Sequence, residues 1–227
     1  MRAFAWSGAL LFAASLTYCL LSYAITMGRP APESAGFWPP FAIDAALFSA
    51  FALHHSVFAR ERVRAWVARV LPPKLERSFY VWVASLMLAA VCALWQPVAG
   101  IAWQIAGPPV WLLRILQVIG VWLTLRSAAV IDVLGLAGVR QVDAAARPEF
   151  KTVGPYGWVR HPIYTGWFLV VLAAPTMTMT RLAFAGISCL YLLVAIPFEE
   201  GSLRATTGDA YTGYMAKVRW KLVPGVY

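Results

Sequence analysis

Charge is what this 227-residue chain has least of. Only 13% of its residues are Asp, Glu, Lys or Arg, about half the usual share in a soluble domain. The shortage excludes a soluble globular protein. With 61% hydrophobic residues and a mean hydropathy of +0.67, the chain reads as an integral membrane protein. Its length suits one compact bundle without a separate soluble domain. Acidic residues are scarcer than basic ones, 10 against 19, for a net charge of +9. The basic residues sit between apolar runs, as loops facing anionic lipid do, so nucleic acid is not the expected partner. The cysteines are Cys19, Cys92 and Cys189. Each lies inside an apolar stretch and none has a CxxC neighbour, which gives no framework for disulfides or a zinc site. Internal repeats and low-complexity segments are lacking.

The apolar runs themselves are plentiful. Phe4–Met27 is long enough to cross roughly 30 Å of hydrocarbon. It exceeds a signal-peptide core and is followed by no A-x-A cleavage site. Phe37–Ala59, Phe79–Trp95 and Val110–Val133 are the next three spans. Ile163–Pro175 and Leu182–Phe198 are shorter and joined only by "TMTMT", which predicts a tight helical hairpin. The expected fold is an all-α membrane bundle of five to six helices, five if the hairpin is one broken crossing. Residues 1–134 would hold helices 1–4. Residues 135–227 would hold a polar loop, the hairpin and a short amphipathic tail.

Lys and Arg set the orientation. With the N-terminus inside, the inner loops hold Arg60, Arg62, Arg64, Arg69, Lys74 and Arg77, then Arg126, Arg140, Arg147, Lys151 and Arg160. The tail adds Arg204, Lys217, Arg219 and Lys221, whereas only Arg29, Arg114 and Arg181 fall outside. Both termini are therefore expected on the cytoplasmic side of an inner membrane.

Two inner polar segments flank the hairpin. One runs through "VGPYGWVRHPIYTGW" (Val153–Trp167); the other begins at Glu199-Glu200. Adjacent carboxylates at a bilayer edge repel and resist desolvation, so a cation belongs beside them. A short hairpin would bring Arg160-His161 next to that pair, with Tyr156, Trp158, Tyr164 and Trp167 around them. Interfacial aromatics are ordinary anchors, and Pro162 is a good first-turn residue. A structural ion pair would need only one carboxylate, which leaves the other for function.

These residues carry a resemblance. "GPYGWVRHPIYTG", a hairpin, "FEE" and a tail with "GDAYTGYMAKV" are together similar to the integral-membrane isoprenylcysteine carboxyl methyltransferase and phospholipid methyltransferase group. "FALHHSVFAR", "ERSFYVWVASLML", "GVRQV" and "APTMTMTRLAFA" extend the similarity over nearly the whole chain, toward the bacterial methanethiol S-methyltransferase branch and its NnrU-like relatives. The resemblance implies S-adenosyl-L-methionine as methyl donor. It implies donor contacts from Tyr156, Arg160, His161, Pro162, Tyr164, Gly166, Glu199 and Glu200. Carboxylates and aromatic faces suit a sulfonium, a ribose diol and an ammonium. The group often continues its glutamate pair with Arg-Asp, where this chain has Gly201-Ser202; Arg204 could substitute from one turn away.

The acceptor favoured by that branch is a small thiol, methanethiol giving dimethyl sulfide. An isoprenylcysteine carboxylate or a phospholipid amine is the alternative. A thiol must lose its proton to attack; the candidate bases or thiolate stabilisers are His54, His55, Asp132 and Arg140, with the glutamates behind them, and Arg140-Gln141 are the better substrate-side candidates. The His54-His55 pair also admits a rival reading as a non-catalytic, haem- or metal-linked NnrU-like protein. With no carboxylate or cysteine beside the pair, no metal site is expected. The lipid bilayer is the other expected partner; nothing points to a particular protein.

Overall fold

The computed structural model describes residues 2–58, 63, 67, 69, 71–140 and 152–227. Gln141 and the basic residues Arg60, Arg62, Arg64, Arg147 and Lys151 lie outside the described residues.

Long apolar runs without charge become helices, because a backbone in hydrocarbon must satisfy its own hydrogen bonds. α1 (Arg2–Leu21) is continued by a π-helical turn, Ser22–Thr26; α2 is Trp38–Phe58, α3 Pro73–Leu94 and α4 Pro109–Ile131. α5 (Pro162–Leu172) and α6 (Met179–Thr207) follow, then α7 (Asp209–Lys217). Among the described residues, the strands are Ile101–Gln104 (β1) and Thr176–Thr178 (β2). Among the described residues five helices, α1 with its π turn, α2, α3, α4 and α6, are apolar and long enough to cross a membrane. The protein is an all-α, multi-pass membrane protein.

The hairpin differs in detail from the expectation. α5 has 11 residues, about 16 Å of helix, half a bilayer. α6 has 29 residues and contains Pro197. It does not stop at Phe198, where hydropathy falls, but runs on through Glu199-Glu200 to Thr207. Gly201-Ser202-Leu203-Arg204 carries no proline, so lost hydropathy does not end the helix. "TMT" is extended rather than a tight turn.

Two compact units are present. The first gathers described residues of 2–102, 134–140 and 177–184. α1 meets α3 where Gly8 faces Trp82; Phe4 stacks on Trp82, whose indole N–H donates to Phe4 O at 3.1 Å. The core of the unit is aromatic, with Phe184 against Tyr23, Phe48 and Trp95. Arg181 is buried here. It donates to Tyr23 O at 2.9 Å and Ala24 O at 2.6 Å, carbonyls in the π turn. The segment Leu134–Arg140 docks on the start of α3. Ser78 Oγ donates to Gly138 O at 2.7 Å, and Arg77 Nε donates to Gly135 O. Gly138 has φ +73°, and a Cβ there would lie 3.1 Å from Ser78 Cα, so the turn requires glycine.

The second unit holds described residues of 103–133, 152–176 and 185–227. α4 and α5 pack at Gly120 and Gly166: a Cβ on either would sit 2.6 Å from the other's carbonyl oxygen. Trp111, Leu112, Ile115, Val118 and Leu125 of α4 are exposed, as lipid-facing side chains must be.

Candidate active site

The second unit brings together the start of α5, the C-terminal part of α6 and the tail. Its geometry starts from a local conflict. Pro162 opens α5 at its first turn, where the missing N–H costs nothing. The two residues before it, Arg160 and His161, are held in an extended path. Arg160 N donates to Trp220 O and His161 N to Lys221 O, both at 2.9 Å. Thr165 Oγ1 adds a bond to Leu222 O at 2.8 Å. The tail is in turn closed on itself, with the N–H groups of Lys221, Leu222 and Val223 converging on Tyr227 O.

The side chains then form a chain of charges. Arg160 Nε donates to Glu200 Oε1 at 2.8 Å and Nη1 to Val218 O at 3.3 Å. His161 Nε2 lies 3.2 Å from the same Glu200 oxygen, and its Nδ1 lies 3.6 Å from Glu199 Oε2. Tyr164 stacks on His161, centroids 5.4 Å apart, and its hydroxyl donates to Glu199 Oε1. Glu200 is buried with its side chain 3% exposed, whereas that of Glu199 is 45% exposed. Consecutive helical residues point about 100° apart, so one glutamate faces the interior while the other faces out. Burial lowers the pKa of His161 from its ordinary 6.5, a shift opposed by its bond to Glu200.

α7 closes the site from the tail. Tyr211, Tyr214 and Val218 form a buried cluster with Leu203 and Met215 against it. Tyr214 donates its hydroxyl to Tyr156 O at 2.8 Å, tying α7 to the 3-10 turn Gly154–Gly157. Burial pushes the Tyr214 hydroxyl up to about 12 and raises that of Tyr156, so both are proton donors at neutral pH.

Of the expected donor contacts, Arg160, His161, Tyr164, Glu199 and Glu200 converge within hydrogen-bonding or ion-pair reach. Tyr156 joins through Tyr214. Pro162 is buried at the helix start. Gly166 faces α4, where a Cβ would meet Thr124 Oγ1 at 2.3 Å, so helix packing demands a glycine there. Trp167 donates to Ser188 Oγ at 3.0 Å between α5 and α6, while Trp158 is exposed. Arg204 does not replace the missing arginine at the carboxylate; its Nε donates to Glu200 O at 3.4 Å, and Arg160 holds the carboxylate instead. Asp132 ends α4 in the second unit with φ 172°. His54, His55 and Arg140 belong to the first unit. Sequence reading missed Tyr211 and Tyr214 as site walls, though their i, i+3 spacing places both on one helix face. It also missed Tyr80, whose hydroxyl pairs with His55 Nδ1.

No cluster of three or more metal-ligating side chains occurs among the described residues. What the arrangement offers is a half-exposed carboxylate, oriented by a tyrosine and flanked by an imidazole, above a buried ion pair. That is a cradle for a cationic or diol-bearing ligand rather than a nucleophile.

The isoprenylcysteine carboxyl methyltransferase (ICMT) family model matches residues 111–205. Methanethiol S-methyltransferase of Crocosphaera subtropica is 39% identical over 185 residues, 78% of this chain and 72% of the relative. Methanethiol S-methyltransferase of Mycobacterium tuberculosis is 36% identical over 187 residues, 78% and 75% of the two chains. Human Nurim is 30% identical over 180 residues, 73% and 68%. The chain belongs to the isoprenylcysteine carboxyl methyltransferase family and is a multi-pass membrane methyltransferase.

Proposed function

We propose that the protein transfers the methyl group of S-adenosyl-L-methionine to a small thiol, methanethiol giving dimethyl sulfide. The observation that carries the donor assignment is the split glutamate pair. Glu200 is spent on Arg160 and His161, which leaves Glu199, half-exposed and oriented by Tyr164, for the ligand. A carboxylate in that position suits a ribose diol or an ammonium, and the aromatic rings beside it suit a sulfonium. When bound, the donor supplies an electrophilic methyl carbon. The chain's own residues align it and exclude water, the main contribution available to such a transfer. Arg160 and Glu200 act beneath the site by fixing the backbone turn before α5. The donor-binding region is the polar segment, α5, α6 and the tail, within 135–227. The thiol acceptor is inferred from the similarity to methanethiol S-methyltransferases. The Lys and Arg distribution supports an inner-membrane location with both termini and the donor site cytoplasmic.

The test incubates detergent-purified protein with methyl-labelled S-adenosyl-L-methionine and, separately, methanethiol, a prenylated cysteine and phosphatidylethanolamine. Labelled dimethyl sulfide in the headspace, lost with Glu199→Ala, is the expected result. Label in the prenylated cysteine or the lipid keeps the reaction class and replaces the acceptor. Failure to bind donor or methylate any acceptor overturns the proposal.

A further inference from the structure

A sulfonium methyl donor built on an amino acid carries both signs of charge. Besides the sulfonium it bears an ammonium and a carboxylate. In the second unit Glu199 can accept from the cationic groups, but a carboxylate needs a donor, and a charged donor holds it best. The basic side chains at the cradle differ in how far they are already committed. Arg160 is buried, with Nε on Glu200 Oε1 and Nη1 on Val218 O. His161 faces a glutamate with each ring nitrogen. Arg204 turns its Nε to Glu200 O.

Lys221 is placed otherwise. It stands against His161 in the main chain, where its carbonyl accepts the His161 N–H at 2.9 Å. Its own N–H donates to Tyr227 O, also at 2.9 Å. The half-buried side chain is fixed as well. Its ammonium lies 4.4 Å from the centroid of the Tyr227 ring and donates to the Tyr227 hydroxyl at 3.0 Å. A ring face and a hydroxyl orient the charge without neutralising it, and Lys221 forms no ion pair among the described residues. The charge is felt at the site: burial is the main cause of the lowered His161 pKa, and Arg160 and Lys221 add to it. An ammonium held in place before the ligand arrives loses little freedom on binding, which favours affinity.

We propose that Lys221 binds the carboxylate at the amino-acid end of the methyl donor, an inference that rests on the methyl-transfer reading above. Glu199 then serves the cationic or diol groups of the same ligand. The two residues together select a donor that carries both charges over one that carries a cation alone.

The test compares two sulfonium ligands that differ only in that carboxylate, S-adenosyl-L-methionine and decarboxylated S-adenosylmethionine, each methyl-labelled and retained by the detergent-purified full chain. Lys221→Met should weaken binding of S-adenosyl-L-methionine by about 10- to 100-fold, the usual worth of a hydrogen bond to a charged group. It should change binding of the decarboxylated ligand by less than about threefold, which also shows that the variant is folded. Wild type should prefer the carboxylated ligand by a factor similar to the variant's loss. Added salt should erode that preference, because a half-exposed charge is screened. Equal losses on both ligands would assign Lys221 a merely structural role and overturn the proposal. So would wild-type affinity of the variant for S-adenosyl-L-methionine, or a wild type indifferent to the carboxylate. Wild type that retains neither ligand overturns the methyl-transfer reading, and this inference with it.

Discussion

Glu199 and Glu200 are chemically identical and adjacent, yet their environments assign them different work. Glu200 compensates a buried guanidinium. Glu200→Gln would leave Arg160 without a counter-charge, which typically destabilises by about 3–5 kcal/mol; the expected result is a large fall in the melting temperature of the detergent-purified protein. Glu199→Gln keeps an acceptor for the Tyr164 hydroxyl on a half-exposed side chain. It should change stability by less than about 0.5 kcal/mol while abolishing donor binding, measured by retention of labelled S-adenosyl-L-methionine. The two variants separate support from recognition. His161 adds a pH dependence. Its folded pKa lies below the 6.5 of an exposed histidine because of burial, so the unfolded chain binds more protons between those two values. Stability from this group is present above pH 6.5 and declines as pH falls through the folded pKa. Thermal melts across that window should show the slope, and His161→Gln should flatten it.

At the scale of elements, the contact between α4 and α5 holds the short helix in place. Because α5 spans about half a bilayer, its position depends on packing rather than on matching the membrane. Gly166→Ala places a methyl 2.3 Å from Thr124 Oγ1 and 2.6 Å from Gly120 O. The backbone atom cannot rotate away, so overpacking of about 1–3 kcal/mol is expected. Gly186→Ala in α6 meets nothing within 4 Å and should be neutral or stabilising by up to about 1 kcal/mol through helix propensity. A pair of melts checks both, and equal behaviour would refute the packing assignment. The tail is the second structural dependency. Its main-chain bonds to Arg160, His161 and Thr165 make the donor site a composite of elements more than 50 residues apart in sequence.

For the whole molecule, the charge distribution predicts a membrane orientation that labelling can check. In a background with the buried Cys19, Cys92 and Cys189 replaced, Ser202→Cys should react with an impermeant maleimide only from the cytoplasmic side. Ala106→Cys, in the uncharged loop between α3 and α4, should react only from the opposite side. The reverse pattern would relocate the donor site.

The membrane class and three of the long helices, α1 with its π turn, α2 and α4, were legible in the sequence to within a few residues, because an uncharged apolar run has only one way to satisfy its backbone in hydrocarbon; α3 starts earlier, at Pro73 rather than Phe79. The pairing of Arg160-His161 with Glu199-Glu200 was also legible, since opposite charges at the two ends of a short hairpin must meet. Other features depended on three-dimensional packing. Hydropathy could not show that α6 continues nine residues past Phe198, because helix geometry persists after lipid contact ends. Nor could it show which glutamate is buried, a matter of helical phase against Arg160. Gly166 shows the same limit: a motif glycine beside the site faces a neighbouring helix. His54 and His55 were equivalent in the sequence. Only the folded chain gives His55 a tyrosine and leaves His54 with both nitrogens open, because hydrogen-bond satisfaction is decided by which helix packs alongside.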